Sequence, residues 1–419
     1  MRFVYDCERP PYKCEVEYLE STGTQWIDTG IVGTQNIGIE LSLTATQINT
    51  KIFGCRTSTS SNNISIFYGS SADSRLGIDF NNSNYATYRC QYATLNQRVI
   101  IKADKNNRKI ISTSGSVLAE NNTVCTDTIL TPDTLKLFDI TNGFQESLFV
   151  GYLYYCKIYD NNTLVRDFIP VLDWDMTPCM YDKVSKTLFY NAGTGNFTAG
   201  RRIIPVEYLE STGTQYIDTG YIPTKNTSFD LYGINMDYHS GTTRFGSRVG
   251  LTAENYCFTA IAANALRFVY GNGSTTASME YVYSTQKLAK LVQFNASTKI
   301  CTVTFNDDTT ESSSVFNTTP LTSSAKSLYL FAFNNNDTPT FGISKQTELK
   351  IYESGVLVRD YIPAIDENGV AFMYDRVYGV IYDNAGTGSF LYGKNVQPKK
   401  IMFSYTKNNL LTKLRFFGD

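Results

Sequence analysis

The stretch VEYLESTGTQWIDTG at residues 16–30 returns at residues 206–220 as VEYLESTGTQYIDTG, changed only where Trp26 becomes Tyr216. A second pair closes the frame. KIYDNNTLVRDFIP at 157–170 returns as KIYESGVLVRDYIP at 350–363, and each copy then runs through MYD to NAGTG. A spacing of about 190 residues exceeds the roughly 20–50 residues of a solenoid repeat and matches a whole domain. The chain reads as one domain duplicated in tandem, large enough per copy to bury a core without staples.

Working outward, the copies thread onto each other between these blocks. Phe53-Gly54-Cys55-Arg56 matches Phe245-Gly246-Ser247-Arg248, residues 135–138 match 328–331, and residues 99–112 match 290–303. Apolar residues alternate with polar ones at Ile39, Leu41, Leu43, at Ile64, Ile66, Tyr68, and at Cys301, Val303, Phe305, the period of half-buried strands. Asp104-Lys105-Asn106-Asn107 and Asn295-Ala296-Ser297-Thr298 lie between such runs and read as hairpin turns. No run of four helical turns is present. Many short alternating runs with polar turns give an all-β chain, two tandem antiparallel jelly-roll sandwiches at 15–200 and 203–393. In such a sandwich the first and last strands lie side by side and constrain each other, which explains near-identity at the ends of each copy. Binding specificity is then expected in the differing middles, 31–150 and 221–345. The linker, residues 200–204, is too short for wide swings.

Composition limits function. Of 419 residues, 30 are Tyr and 25 Phe, with 18% charged and a net charge of −2. No long basic run exists to hold a phosphate backbone, and no stretch approaches the roughly 20 apolar residues of a membrane span. The first residues, MRFVYDCERPPYKC, lack the apolar core of a signal peptide, so synthesis in a cytoplasm without ordinary export is expected. Nine cysteines divide seven before Gly200 and two after. Cys257 and Cys301 lack cysteines at equivalent positions, so no duplicated disulfide framework exists and reduced, buried thiols are expected. Cys7 and Cys14 are the one pair that proximity allows.

Chemistry-bearing motifs are sparse. The single histidine, His239, excludes a Ser-His-Asp site in each copy and lies in the polar stretch Asp237-Tyr238-His239-Ser240-Gly241. Neither CxxC nor HExxH occurs. The NAGTG segments lack the Lys-Ser/Thr of a phosphate loop and read as turns. Glu15-Val16-Glu17-Tyr18-Leu19-Glu20 is similar to the acid-bearing strand of sandwich glucanases, which use two carboxylates roughly 5–9 Å apart. Its middle acid is Glu, however, and the second copy begins Pro205-Val206-Glu207, without the first carboxylate. No catalytic residue is assigned. Asn306-Asp307-Asp308 and Asn334-Asn335-Asn336-Asp337 offer hard oxygens suited to calcium, but read more simply as Asx turns. No cofactor is expected, calcium alone staying open. Trp174, between Asp173 and Asp175 where the second copy has Glu367, is either a lid on the sandwich edge or an exposed contact. With Tyr238 and His239 it completes the glycan-binding candidates, since flat aromatic faces bind apolar faces of sugars.

The blocks EYLESTGTQ(W/Y)IDTG, KIY…LVRD(F/Y)IP and MYD…NAGTG resemble the concanavalin A-like, laminin-G-like jelly-roll modules common in virion proteins of bacteriophages of gut bacteria. The resemblance covers about 15–200 and 205–393. It implies a lectin-like two-sheet sandwich, assembly in a bacterial cytoplasm, and a place on the virion surface, often for glycan attachment. It implies no enzymatic activity, and no binding residue carries over, because the shared blocks are scaffold. Two segments lie outside it, 1–14 and 394–419. They are the expected anchors to other virion proteins, through residues 1–13 and the alternating KIMFSY and LLTKLRFF around Lys407-Asn408-Asn409. An oligomer is expected. The competing expectation is a purely structural virion protein packing against capsid or tail, with a glycoside hydrolase as a third.

Overall fold

Alternating burial decides where the strands run. In Ile37–Ala45, residues Ile37, Ile39 and Leu41 point into the core while Gly38 and Glu40 face outward, and Thr227–Tyr232 repeats the pattern with Phe229 and Leu231 inside. The computed structural model describes residues 10–58, 61–82, 85–140, 148–232, 242–250, 254–262, 265–271, 277–282, 289–313, 324–396, 401–402 and 415–416. Among these, all regular structure is β-strand apart from one helical turn, Tyr85–Tyr88. Among the described strands, neighbours pair antiparallel save Thr242–Arg248 with Ala332–Asn335, and an isolated parallel bridge joins Lys51 to Leu148. Two cores result, one formed from Cys14 to Phe197 and one from Val206 to Phe390. This is the all-β, double-sandwich architecture the patterning indicated.

Each copy has an inner sheet and a main sheet. The inner sheet of the first copy runs Ile27–Thr34, Leu130–Leu137, Thr50–Cys55, Asn63–Tyr68, Leu76–Asn81, Cys90–Tyr92. The threaded pieces coincide here: Leu137 pairs with Phe53 as Leu330 pairs with Phe245, and Phe138 and Phe331 are both buried at φ 64. In the main sheets, Ile39 lies between Ile158 and Ala103, and Phe229 between Ile351 and Phe294. One register expectation is corrected. In the first copy the hairpin closes at Ala103 opposite Arg108, whereas in the second it extends one pair further, to Asn295 opposite Ile300. The turn is therefore 296–299, with Asn295 Oδ1 accepting from the amides of Ser297 and Thr298, and Thr302 rather than Ile300 corresponds to Lys109.

The near-identical blocks are near-identical because they hold each other. Gln25 is buried, and its Oε1 accepts from the Ser21 hydroxyl and the Thr22 amide, while its Nε2 donates to the Asn196 carbonyl. The NAGTG segment clips on beside it: the Ala192 and Thr194 amides donate to the Trp26 and Thr24 carbonyls, and Asn191 Oδ1 accepts from the Trp26 amide. Ala385, Thr387 and Asn384 repeat these bonds onto Tyr216 and Thr214. In LVRD and MYD, buried Asp182 accepts from the Asp167 and Val184 amides with Arg166 at 3.6 Å, and buried Asp375 accepts from the Asp360 and Val377 amides with Arg359 at 3.7 Å.

The copies are joined by strand pairing. The opening strand Tyr12–Val16 pairs on one side with the closing strand Thr163–Asp173. The linker residues Arg202–Pro205 form the equivalent strand of the second copy, pairing with its closing strand Val356–Ile365. These two equivalent strands also pair with each other antiparallel, Glu15 opposite Ile203 and Val16 opposite Arg202. The second copy repeats this contact with its own segment after NAGTG: Val206 lies opposite Asn395, the Val396 amide donates to the Pro205 carbonyl, and the Glu207 amide donates to the Lys394 carbonyl as Glu17 does to Arg201. The strand order across the junction of the copies is a palindrome: hairpin, closing strand, opening strand, linker strand, closing strand, hairpin. Matching satellite cores flank the seam, Ile169, Val171 and Cys179 on one side, Ile203, Ala364, Phe372 and Tyr374 on the other. Residues 12–14, read from sequence as tail, thus belong to a seam strand. At the other end Ile401–Met402 pair antiparallel with Arg415–Phe416.

Close packing of the clip gives a direct test. A Cβ on Gly386 would lie 2.0 Å from the Thr214 carbonyl oxygen, while one on Gly250 meets nothing within 4 Å. Gly386→Ala is expected to destabilise by about 1–3 kcal/mol, and Gly250→Ala to stay within about 0.5 kcal/mol, as read from urea unfolding midpoints.

Candidate functional site

Two equivalent grooves open on the outward faces of the main sheets. The first, of about 410 Å³, is lined by Glu40, Lys102, Asp104, Lys109 and Tyr159. The second, of about 430 Å³, is lined by Ser228, Asp230, Gln293, Asn295, Thr302 and Tyr352. Period-2 alternation makes both, since outward residues of adjacent strands fall into rows across the sheet. Each groove ends at a tight hairpin with two left-handed residues, Asn161-Asn162 and Ser354-Gly355, the conformation that two-residue turns between twisted strands require. These turns carry Tyr159 and Tyr352 of the shared KIY block to the groove wall.

The rows differ in charge. In the first copy Asp167, Lys157, Glu40, Lys102, Lys109 and Glu120 are successive cross-strand neighbours. Opposite signs pair along much of this row: Lys102 to Glu40 at 3.1 Å, Lys157 to Glu40 at 3.9 Å, Lys109 to Glu120 at 2.9 Å. Tyr155 also donates to Glu40 at 3.1 Å. In the second copy the row reads Asp360, Lys350, Asp230, Gln293, Thr302, Ser312. There Asp230 accepts from Gln293 Nε2 at 3.0 Å and from the Tyr352 hydroxyl at 3.1 Å, and Thr302 bonds Ser312 at 2.9 Å. Lys350 turns away to Glu348 at 3.2 Å. Burial and the Asp230 carboxylate both push the Tyr352 phenol up, so it stays a donor.

A second group of cavities lies at the seam. Trp174 is half-buried and lines a space of about 230 Å³ with Tyr12, Lys13, Ile203, Pro205 and Arg376, so this candidate sits against the junction of the copies. Its turn is held by Asp173 Oδ1, which accepts from the Asp175 and Thr177 amides, as Asp366 does for Asn368 and Val370. Arg98 crosses the seam. It donates to the carbonyls of Tyr378 at 2.7 Å and Gly379 at 2.9 Å, and lies 3.4 Å from the Tyr154 ring centroid. Arg201 pairs with Asp383 at 2.8 Å and Asp366 at 3.3 Å. Sequence alone did not single out either arginine. Arg98 corresponds to Ala289 and so stands outside every repeated block.

The acids of the glucanase-like strand are engaged separately: Glu15 accepts from Tyr12, Glu20 from Thr198, and Glu17 sits at the seam near Arg98 and Arg201. Tyr238 and His239 lie outside the described residues, as does Cys7. Asp307 accepts from the Thr309 amide two residues on, an Asx turn, whereas Asn334 accepts from the Asp337 amide three residues on. Among the described residues no group of three or more His, Cys, Asp or Glu side chains is placed to hold a metal, and no helix is long and apolar enough to cross a membrane. The eight described cysteines are all buried, and burial pushes the thiols of Cys55 and Cys90 up to about 11.

No protein-family model matches the chain, and no curated protein matches it. Among solved structures it is similar to domains LG4-5 of the mouse laminin alpha1 chain, at 9% identity and a TM-score of 0.28, with 93% of this chain and 96% of that one covered.

Burial raises the Glu17 carboxyl above its ordinary range, and Arg98 and Arg201 offset this only in part. The folded state therefore favours the neutral acid. That contribution is complete below about pH 4, the unfolded value, and is lost as pH rises through the folded one. Glu17→Gln stays neutral at every pH, so its urea midpoint is expected to exceed that of the unmodified protein at pH 7, with the two converging near pH 3.5. A pH-independent difference would contradict this.

Proposed function

We propose that this is a non-enzymatic surface protein of a bacteriophage particle, of head or tail decoration or fibre type, whose tandem lectin-like domains attach to host or mucosal glycans. The observation that carries the reading is the pair of outward grooves at equivalent places in the two main sheets, each combining a tyrosine wall with a carboxylate and further polar side chains. This is the chemistry that meets the hydroxyls and apolar faces of sugars. Strand pairing across the seam favours a fixed spacing between the grooves. Weak sites at fixed spacing, multiplied on a particle, gain avidity without strong single contacts. The resemblance of the repeated blocks to phage virion modules supplies the particle. Residues 1–11 and the segment beyond Val396 are proposed to anchor the chain to other virion proteins, and the domains are taken to begin at Tyr12 and at Arg202. Assembly takes place in the bacterial cytoplasm. No cofactor is required in this reading, and the separate engagement of Glu15, Glu17 and Glu20 supports leaving catalysis out.

One observation favours a second reading for the first copy. Its groove row is already neutralised by its own ion pairs, as suits a packing face in a purely structural virion protein.

Intact particles and the isolated chain are expected to be retained on immobilised mucin and on a glycan array. Absence of retention in both formats would leave only the structural reading.

A further inference from the structure

The two grooves are equivalent in position but not in what their carboxylates can still do. Glu40 accepts from Tyr155 and is paired with two lysines, Lys102 and Lys157. A neutral hydroxyl entering that groove must compete with charge-assisted contacts, which are about twice as strong as neutral ones. Two exchanges release the corresponding Asp230. Lys102 is replaced by Gln293, its cross-strand equivalent. Tyr155 is replaced by Glu348, which draws Lys350, the counterpart of Lys157, to 3.2 Å. Glu348 and Asp360 also engage Arg376, holding this cation with the acids beside the groove.

With Lys350 drawn to Glu348, the other side chains lining the groove around Asp230 are neutral. Each of its oxygens accepts one bond, from Gln293 Nε2 and from the Tyr352 hydroxyl. An ionised carboxylate has about four acceptor sites, so capacity for further donors is left. Gln293 adds its amide oxygen and a second N–H, and Thr302 and Ser312 extend the row with hydroxyls. Acceptors and donors follow one another along this row, the complement of sugar hydroxyls, each of which both donates and accepts.

Resting on the glycan reading above, we infer that the second-copy groove is the saccharide site, taking a neutral sugar whose hydroxyls donate to Asp230 and exchange bonds with Gln293 against the Tyr352 wall, while the first-copy groove is not a neutral-sugar site. The copies have divided the work, one keeping a self-neutralised face and one an unpaired carboxylate.

The test uses the full chain and calorimetry with neutral hexasaccharides of glucose, mannose, galactose and N-acetylglucosamine, with sialyllactose as the charged comparator. At least one neutral probe is expected to bind. Asp230→Asn, and Gln293→Lys, which restores the first copy's lysine, are expected to weaken it at least about tenfold. Glu40→Gln should change it less than about twofold. Thermal melting by circular dichroism confirms that each variant is folded, and Tyr352→Phe, which keeps the ring and removes only the hydroxyl, decides the matter if either fails. Neutral binding that survives Asp230→Asn and Gln293→Lys, or is lost in Glu40→Gln, would overturn the assignment while leaving the glycan reading standing. Preference for sialyllactose would overturn the neutral class, and no binding to any probe or array would overturn both.

Discussion

Everything in this molecule depends on the antiparallel pairing of Tyr12–Val16 with Arg202–Pro205. Each is the opening strand of its own copy and needs partners for both rows of backbone groups. The closing strand satisfies one row. The other would be an open edge, the kind of template that invites aggregation. Pairing with Ile203 and Arg202 covers this edge in the first copy, and residues 394–396 cover the remainder of it in the second. The second copy makes the equivalent contact with its own segment after NAGTG, Val206 opposite Asn395, so the linker serves the first copy as residues 394–396 serve the second. The linker is short because it is itself the second strand of the pair.

On this symmetric frame the side chains are not symmetric. Arg98 crosses the seam from the first copy, and its counterpart Ala289 cannot. Trp174 lines a seam cavity, whereas its counterpart Glu367 accepts the Arg202 amide. On the outer faces, Lys102 against Gln293 and Tyr155 against Glu348 turn one row of charges into a closed set of pairs and leave the other half neutral. Duplication supplied two equal grooves, and a handful of outward positions then made them unequal without touching either core.

Much of this was legible in the residues. The repeated blocks stand out because Gln25 and Gln215 organise the same turns, and because NAGTG needs glycines where a Cβ would strike the Thr24 and Thr214 carbonyls. Period-2 alternation marked the strands because each main sheet has one wet and one dry face. The seam was not legible. Cys14, Glu15 and Ile203 carry no local signal that they meet, since pairing between distant strands is set by tertiary register. The grooves were hidden for a related reason: Asp230, Gln293 and Thr302 lie far apart in sequence and form a row only once three strands are aligned. The one-pair extension of the second hairpin obscured the match further, setting Thr302 in place of Lys109. Trp174 drew attention as an unmatched aromatic, but the backbone carries it to the junction rather than to either groove.

The copies form one continuous sheet rather than two domains on a tether. Hydrogen exchange at the backbone amides of the seam measures this most directly, at Glu17, which donates to the Arg201 carbonyl, and at Ile203, opposite Glu15. The account predicts protection comparable to the core strand Ile37–Ala45 in the same protein. Exchange at Glu17 and Ile203 as fast as in exposed turns, with the core strand still protected, would contradict it.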